Sequence, residues 1–203
     1  MATIEPYYKI IGAFCGLFAL MIRMYGDFTA IFLYPGYDPT VDMVSFLGSG
    51  SGHLYFNFGL MCSALIIMPF YISIAYVLRN EFPENAKLIR SYKIISLLSA
   101  LSVFLIGFFL ALSNIIPNQL IYDFHAFFAI IAFLSGAYSN VVLGSLMKKS
   151  TRFLKIFAYL SYAVAILSIL FLITWHALIE WVSTYVMIFS QILLSVYMII
   201  KKM

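Results

Sequence analysis

The chain has 203 residues, 64% of them hydrophobic and 10% charged, with a mean hydropathy of +1.02 and a formal net charge of +4. A water-soluble domain of this size cannot hide that much apolar surface, because its exterior needs far more polar cover; lipid is the solvent that removes the difficulty. At about 20 apolar residues per spanning helix, the length holds roughly five to seven spans and leaves no room for a separate soluble domain.

The first apolar stretch, Ile10 to Leu33, is too long for the core of a secretory signal, lacks a following small-x-small cleavage site, and carries Arg23 and Asp27. Apolar runs bounded by charge or turn residues predict six spans: 9–33, 54–78, 94–114, 123–147, 156–175 and 177–200. The expected fold is therefore all-α: a polytopic integral membrane protein, a six-transmembrane-helix bundle forming one domain over residues 1–203. The first loop, Tyr34–Gly52, is rich in Gly and Pro and should be irregular. Pro69 is placed to kink the second span. Only Trp175, His176 and their neighbours separate the last two spans, with no Gly or Pro to mark the turn. The chain must still fold back there, because a single helix of that length far exceeds a bilayer. Cys15 and Cys62 lie inside apolar runs and read as small packing hydrophobes rather than a disulfide or redox pair. There is no lipidation signature, no N-x-[ST] acceptor and no strong internal repeat.

Charge placement gives the orientation. Lys9, Arg79, Lys87, Arg90, Lys93, Lys148, Lys149, Arg152, Lys155, Lys201 and Lys202 all fall on one side of the predicted spans; Arg23 alone lies inside a helix. Basic residues accumulate on the cytoplasmic face, so both termini are expected in the cytoplasm of a multi-pass protein of the cell membrane. The positive charge is thus a topological signal and implies no nucleic-acid partner.

On the opposite side a polar set gathers. His53 opens the second span, His125 opens the fourth, and His176 sits in the turn before the sixth, with Asp123, Glu180 and Asp27 nearby. Ionisable groups at membrane depth cost a few kcal/mol each, so they pair, face the bundle interior, or both. Helical phase supports an inward face. His125, Ala129, Ala132, Gly136 and Asn140 share one stripe; so do Gly12, Gly16, Ala19, Arg23 and Asp27, and so do His53, Asn57, Leu60 and Ala64. Ser96, Ala100, Val103, Gly107 and Asn114 form the stripe of the third span, and Glu180, Thr184, Met187 and Gln191 that of the sixth. Small and polar faces of this kind pack against other helices rather than lipid. The expectation is an outward-opening pocket lined by Arg23, Asp27, Asn57, Asn114, Thr184 and Gln191, with no matching polar cluster in the cytoplasmic half.

Imidazoles and carboxylates suit two chemistries. His53, His125 and His176 are a ligand set for a divalent metal such as zinc, assembled across helices, which would activate water for hydrolysis. The same histidines with Asp123 and Glu180 could act without metal as general acid and base. The plain alternatives are an Arg23–Asp27 pair that only satisfies itself and histidines that only bond water or a carbonyl at helix ends. No nucleophile elbow, Walker motif or dinucleotide fingerprint is present.

The segment Val44-Ser45-Phe46-Leu47-Gly48, followed by His53-Leu54-Tyr55-Phe56-Asn57-Phe58-Gly59-Leu60, resembles the six-span prokaryotic membrane proteins grouped as domain of unknown function 998. That family pattern has an S-x-L-G-like loop, an F-N-x-G-L helix start, a His early in the fourth span and a Glu early in the sixth. Ser45, Gly48, Phe56, Asn57, His125 and Glu180 occupy those places, while the Arg that follows the Glu in the pattern is Trp181 here. The layout is more distantly similar to the Frag1/DRAM/Sfk1 proteins, which are linked to lipid handling. That resemblance implies lipid rather than small ions, with membrane lipid as the partner; with the polar set it gives the expectation of a lipid-handling protein or a metal-assisted membrane hydrolase. The alternatives are a non-catalytic subunit or scaffold among other membrane subunits, and a transporter.

Overall fold

The computed structural model describes residues 5–116 and 118–203; Pro117, in the expected link between the third and fourth spans, lies outside them. Among the described residues seven α-helices follow in order: α1 Glu5–Phe32, α2 His53–Ile66, α3 Met68–Glu81, α4 Ala86–Ile115, α5 Gln119–Lys149, α6 Lys155–Thr174 and α7 Ala177–Ile200. No strand occurs among the described residues. With α2 and α3 counted as one run, six helices among the described residues are long and apolar enough to cross a membrane.

The helices overrun the apolar stretches at their ends. α4 begins at Ala86 rather than at Ile94, because Lys87, Arg90 and Lys93 are good helix formers whose long stems extend the helix past the apolar run. The second span breaks at Ile67, where Pro69 has no N–H to return to the Leu65 carbonyl and α3 starts afresh with Pro69 in its first turn. The turn between α6 and α7 needs no glycine. Trp175 itself takes the left-handed conformation at φ 48°, ψ 36°, its N–H bonded to the Phe171 carbonyl at 2.7 Å and its ring 5.4 Å from that of Phe171. That hydrogen bond and the tilted ring contact accompany a backbone shape that an L residue disfavours by about 1 kcal/mol or more.

Packing closes the six spans into a ring. α1 meets α2 and α3, those meet α4, α4 meets α5, α5 meets α6, α6 meets α7, and α7 returns to α1. Small residues allow the closest approaches: a methyl group at Gly26 would lie 2.7 Å from the Tyr55 carbonyl oxygen and 3.1 Å from the α-carbon of Gly59. The outward faces are apolar. On α1, Ile11, Phe14, Phe18, Met21, Tyr25, Phe28 and Phe32 recur at three- and four-residue intervals and are all more than half exposed, as a lipid-facing stripe should be.

One core fills the end of the ring that carries the basic loops, around Phe70, Ile74, Leu78, Tyr92, Leu146, Met147, Phe157 and Met198. A smaller one, around Ala30, Leu47, Phe56, Leu60 and Leu110, holds the first loop against α1, α2 and α4 at the opposite, loop end.

Candidate functional site

Arg23 and Asp27 stand one turn apart on α1 and pair, with Nε 2.9 Å from each carboxylate oxygen. Asp27 is fully buried and Arg23 nearly so. The Tyr185 hydroxyl donates to Asp27 Oδ2 at 3.4 Å, and the guanidinium carbon lies 4.8 Å from the centre of the Phe56 ring. A buried charge in a spanning helix needs such partners.

Glu180, in the first turn of α7, is 8% exposed and accepts the Val44 backbone N–H at 2.8 Å through Oε2. That amide belongs to a short 3-10 turn, Val44–Gly48, in the middle of the first loop. Three further side chains pin the same loop. Asn57 and Asn114 donate their amides to the Gly48 carbonyl at 3.0 and 2.8 Å. Trp181 Nε1 donates to the Tyr37 hydroxyl at 2.8 Å, and that hydroxyl in turn donates to the Met43 carbonyl at 2.9 Å. Burial pushes the Tyr37 phenol above its ordinary pKa, so it remains a donor. Gly48 has to be small: a methyl group there would meet Leu110 at 2.6 Å and Asn57 Oδ1 at 2.8 Å.

Beneath this loop the ring encloses a cavity of about 300 Å³. Its wall is mainly apolar, with Leu20, Phe56, Leu60, Val103, Ile106, Ala129, Ala132, Phe171 and Ile188. Arg23, His125, Glu180, Thr184, Ser45 and Tyr122 supply polar groups. Of the stripe expected on the fourth span, His125, Ala129, Ala132 and Gly136 line this cavity, as do Glu180, Thr184 and Met187 from the sixth; Asn140 and Gln191 do not.

The three histidines do not converge. His125 is buried at the cavity wall, its Nδ1 without a hydrogen-bond partner and its ring 5.6 Å from Tyr122. His53 is half-buried and stands outside the cavity lining. His176 is exposed; it precedes α7 in an extended conformation and caps it through its carbonyl, which accepts the Ile179 and Glu180 amides at 3.0 Å each. Asp123 is exposed and accepts the Gln119 amide at 2.9 Å. Among the described residues no group of three or more His, Cys, Asp or Glu side chains is placed to hold a metal ion, and the structure does not bring His53, His125 and His176 together as one. Equal depth in the membrane does not give equal direction around the helix axes, and a zinc site needs both.

The expected pocket lining divides likewise. Arg23 and Thr184 line the cavity; Asn57 and Asn114 hold the loop; Asp27 serves Arg23. Gln191 lies deeper, in a second chamber of about 30 Å³ toward the basic end, lined by Tyr71, Tyr92, Ser96, Ser99, Asn140 and Ser161 among others. Its amide donates to the Tyr71 hydroxyl at 3.2 Å. The basic half thus does contain a polar cluster, contrary to expectation. It consists of hydroxyls and amides without charge, which a reading led by ionisable residues passes over. Tyr71, Ser99, Gly136 and Met187 border both spaces. Tyr37 and Trp181 were missed as well; an aromatic pair at the membrane boundary is the signal that would have found them.

A search of curated proteins and one of solved structures each return no match. The family model described as "Protein of unknown function (DUF998)" matches residues 15–197: the chain belongs to the DUF998 family.

Proposed function

We propose that this protein handles lipid, taking an amphiphile into the cavity beneath the first loop. One observation carries the reading: a mainly apolar cavity of about 300 Å³ has Arg23, His125 and Glu180 buried in its wall. A large apolar pocket with a few polar groups is how proteins bind small amphiphilic molecules. The distant resemblance to the Frag1/DRAM/Sfk1 proteins points the same way. The asymmetry of basic residues supports a cell-membrane protein with both termini cytoplasmic and the cavity opening outward.

Native mass spectrometry of the protein released from its membrane tests this. The wild type should carry a lipid adduct. Ala129→Phe, which projects a ring into the cavity, should fold and lose it. A wild type that carries no lipid and takes up none on addition sinks the proposal.

The inner chamber supports a second reading, passage of a ligand across the membrane, because its wall is shared with the cavity above. Reconstituted vesicles distinguish the two: transport requires movement of lipid or polar solute that Gln191→Leu abolishes, whereas lipid handling at the outer face requires none.

A further inference from the structure

Arg23 and Glu180 face the same cavity without forming an ion pair with one another. Each is 8% exposed, and the one ion pair among the described residues joins Arg23 to Asp27, leaving Glu180 with no cationic side chain within 4.0 Å. Arg23 meets Asp27 through Nε, and no other hydrogen bond of its guanidinium occurs among the described residues, so the Nη donors remain to be satisfied. Glu180 accepts backbone amides of the 3-10 turn, which supply dipoles but no full positive charge in contact, and a carboxylate can accept several bonds. His125 adds a buried Nδ1 that has no partner.

A buried side chain with open hydrogen-bonding capacity costs free energy until something fills it. Two kinds of group fill this site. The Nη donors take an anionic oxygen of phosphate or carboxylate, with the geometry that suits guanidinium. Glu180 takes an ammonium. An anionic head alone would leave Glu180 uncompensated and add like charge beside it; a cationic head alone would leave the Nη donors idle. Resting on the lipid-handling reading above, we infer that the cavity selects an amphiphile with a zwitterionic head, its oxyanion on Arg23 and its ammonium on Glu180, with the chain among Leu60, Ala129, Phe171 and Ile188.

Dissociation constants in lipid nanodiscs test this with probes sharing one acyl chain: lysophosphatidylethanolamine (zwitterionic), lysophosphatidylglycerol (anionic) and monoacylglycerol (uncharged). Chainless glycerophosphoethanolamine is the fourth probe. The zwitterionic probe should bind about tenfold more tightly than the anionic one, the gap expected of a desolvated charge contact. The chainless head should not bind in the same range. Glu180→Gln should erase the preference over the anionic probe. R23Q combined with D27N, which avoids leaving Asp27 unpaired, should reduce both phosphate probes to the level of monoacylglycerol. Equal affinity for the three single-chain probes overturns the assignment of the head but leaves a lipid cavity standing. Binding of none overturns both. Equal affinity for the chainless head overturns the lipid as source and assigns the site to a free solute. If either variant fails to fold, the ranking of probes on the wild type decides.

Discussion

At the scale of single residues, the polar groups that membrane depth makes costly divide into those that pin a loop and those that face a cavity. Asn57 donates to the Gly48 carbonyl from a buried position, and Asn114 reaches the same oxygen. Asn57→Ala should therefore lower the thermal unfolding midpoint, at a cost of about 1–3 kcal/mol, and expose the first loop to limited proteolysis while leaving the helical circular dichroism intact. Arg23→Met should be far harsher, about 3–5 kcal/mol, because it strands the fully buried Asp27. R23M with D27L should recover most of that loss in the same unfolding measurement, since an ion pair replaced by apolar groups of similar size is nearly neutral. The pairing of Arg23 with Asp27 was legible from their spacing. The roles of Asn57 and Glu180 were not, because their partners are main-chain groups of a loop whose path no periodicity describes.

Among elements, the joints carry what local rules leave open. Pro69 announces the break between α2 and α3, because a missing N–H is a property of the residue itself. The turn at Trp175 announces nothing: its left-handed backbone rests on contact with Phe171 rather than on a permissive residue. The crossing of α1 over α2 depends on Gly26 and Gly59 meeting backbone to backbone. Gly26→Val should push these helices apart and cost about 1–3 kcal/mol, read as a lower unfolding midpoint in detergent. Gly36 is a useful control: it lies in the first loop with no atom near an added methyl group, although its φ of 81° sets its own smaller penalty.

For the molecule as a whole, the closed ring places basic loops at one end and the pinned loop at the other. In a background with Cys15 and Cys62 replaced by Ala, a membrane-impermeant maleimide should label Thr40→Cys on intact cells. It should reach Lys149→Cys only after permeabilisation; both positions are exposed at the ends of the bundle. The reverse pattern would overturn the orientation drawn from the basic residues. The ring also explains why a small membrane protein with short loops can hold a cavity: each span packs against its neighbours around the ring, and among the described residues a space remains between them.

Six spans, an irregular first loop, the break at Pro69 and the stripe along the fourth helix are all readable along the chain. Each is a consequence of local properties: apolar length against bilayer thickness, a missing donor, or the helical period. Which polar residues share a space emerges from the packing of the helices against one another. Depth in the membrane can be counted along the chain, but the direction of a side chain depends on how each helix is rotated against its neighbours. His125 and Glu180 therefore reach the cavity wall, while His53 and His176, at similar depth, stand outside it.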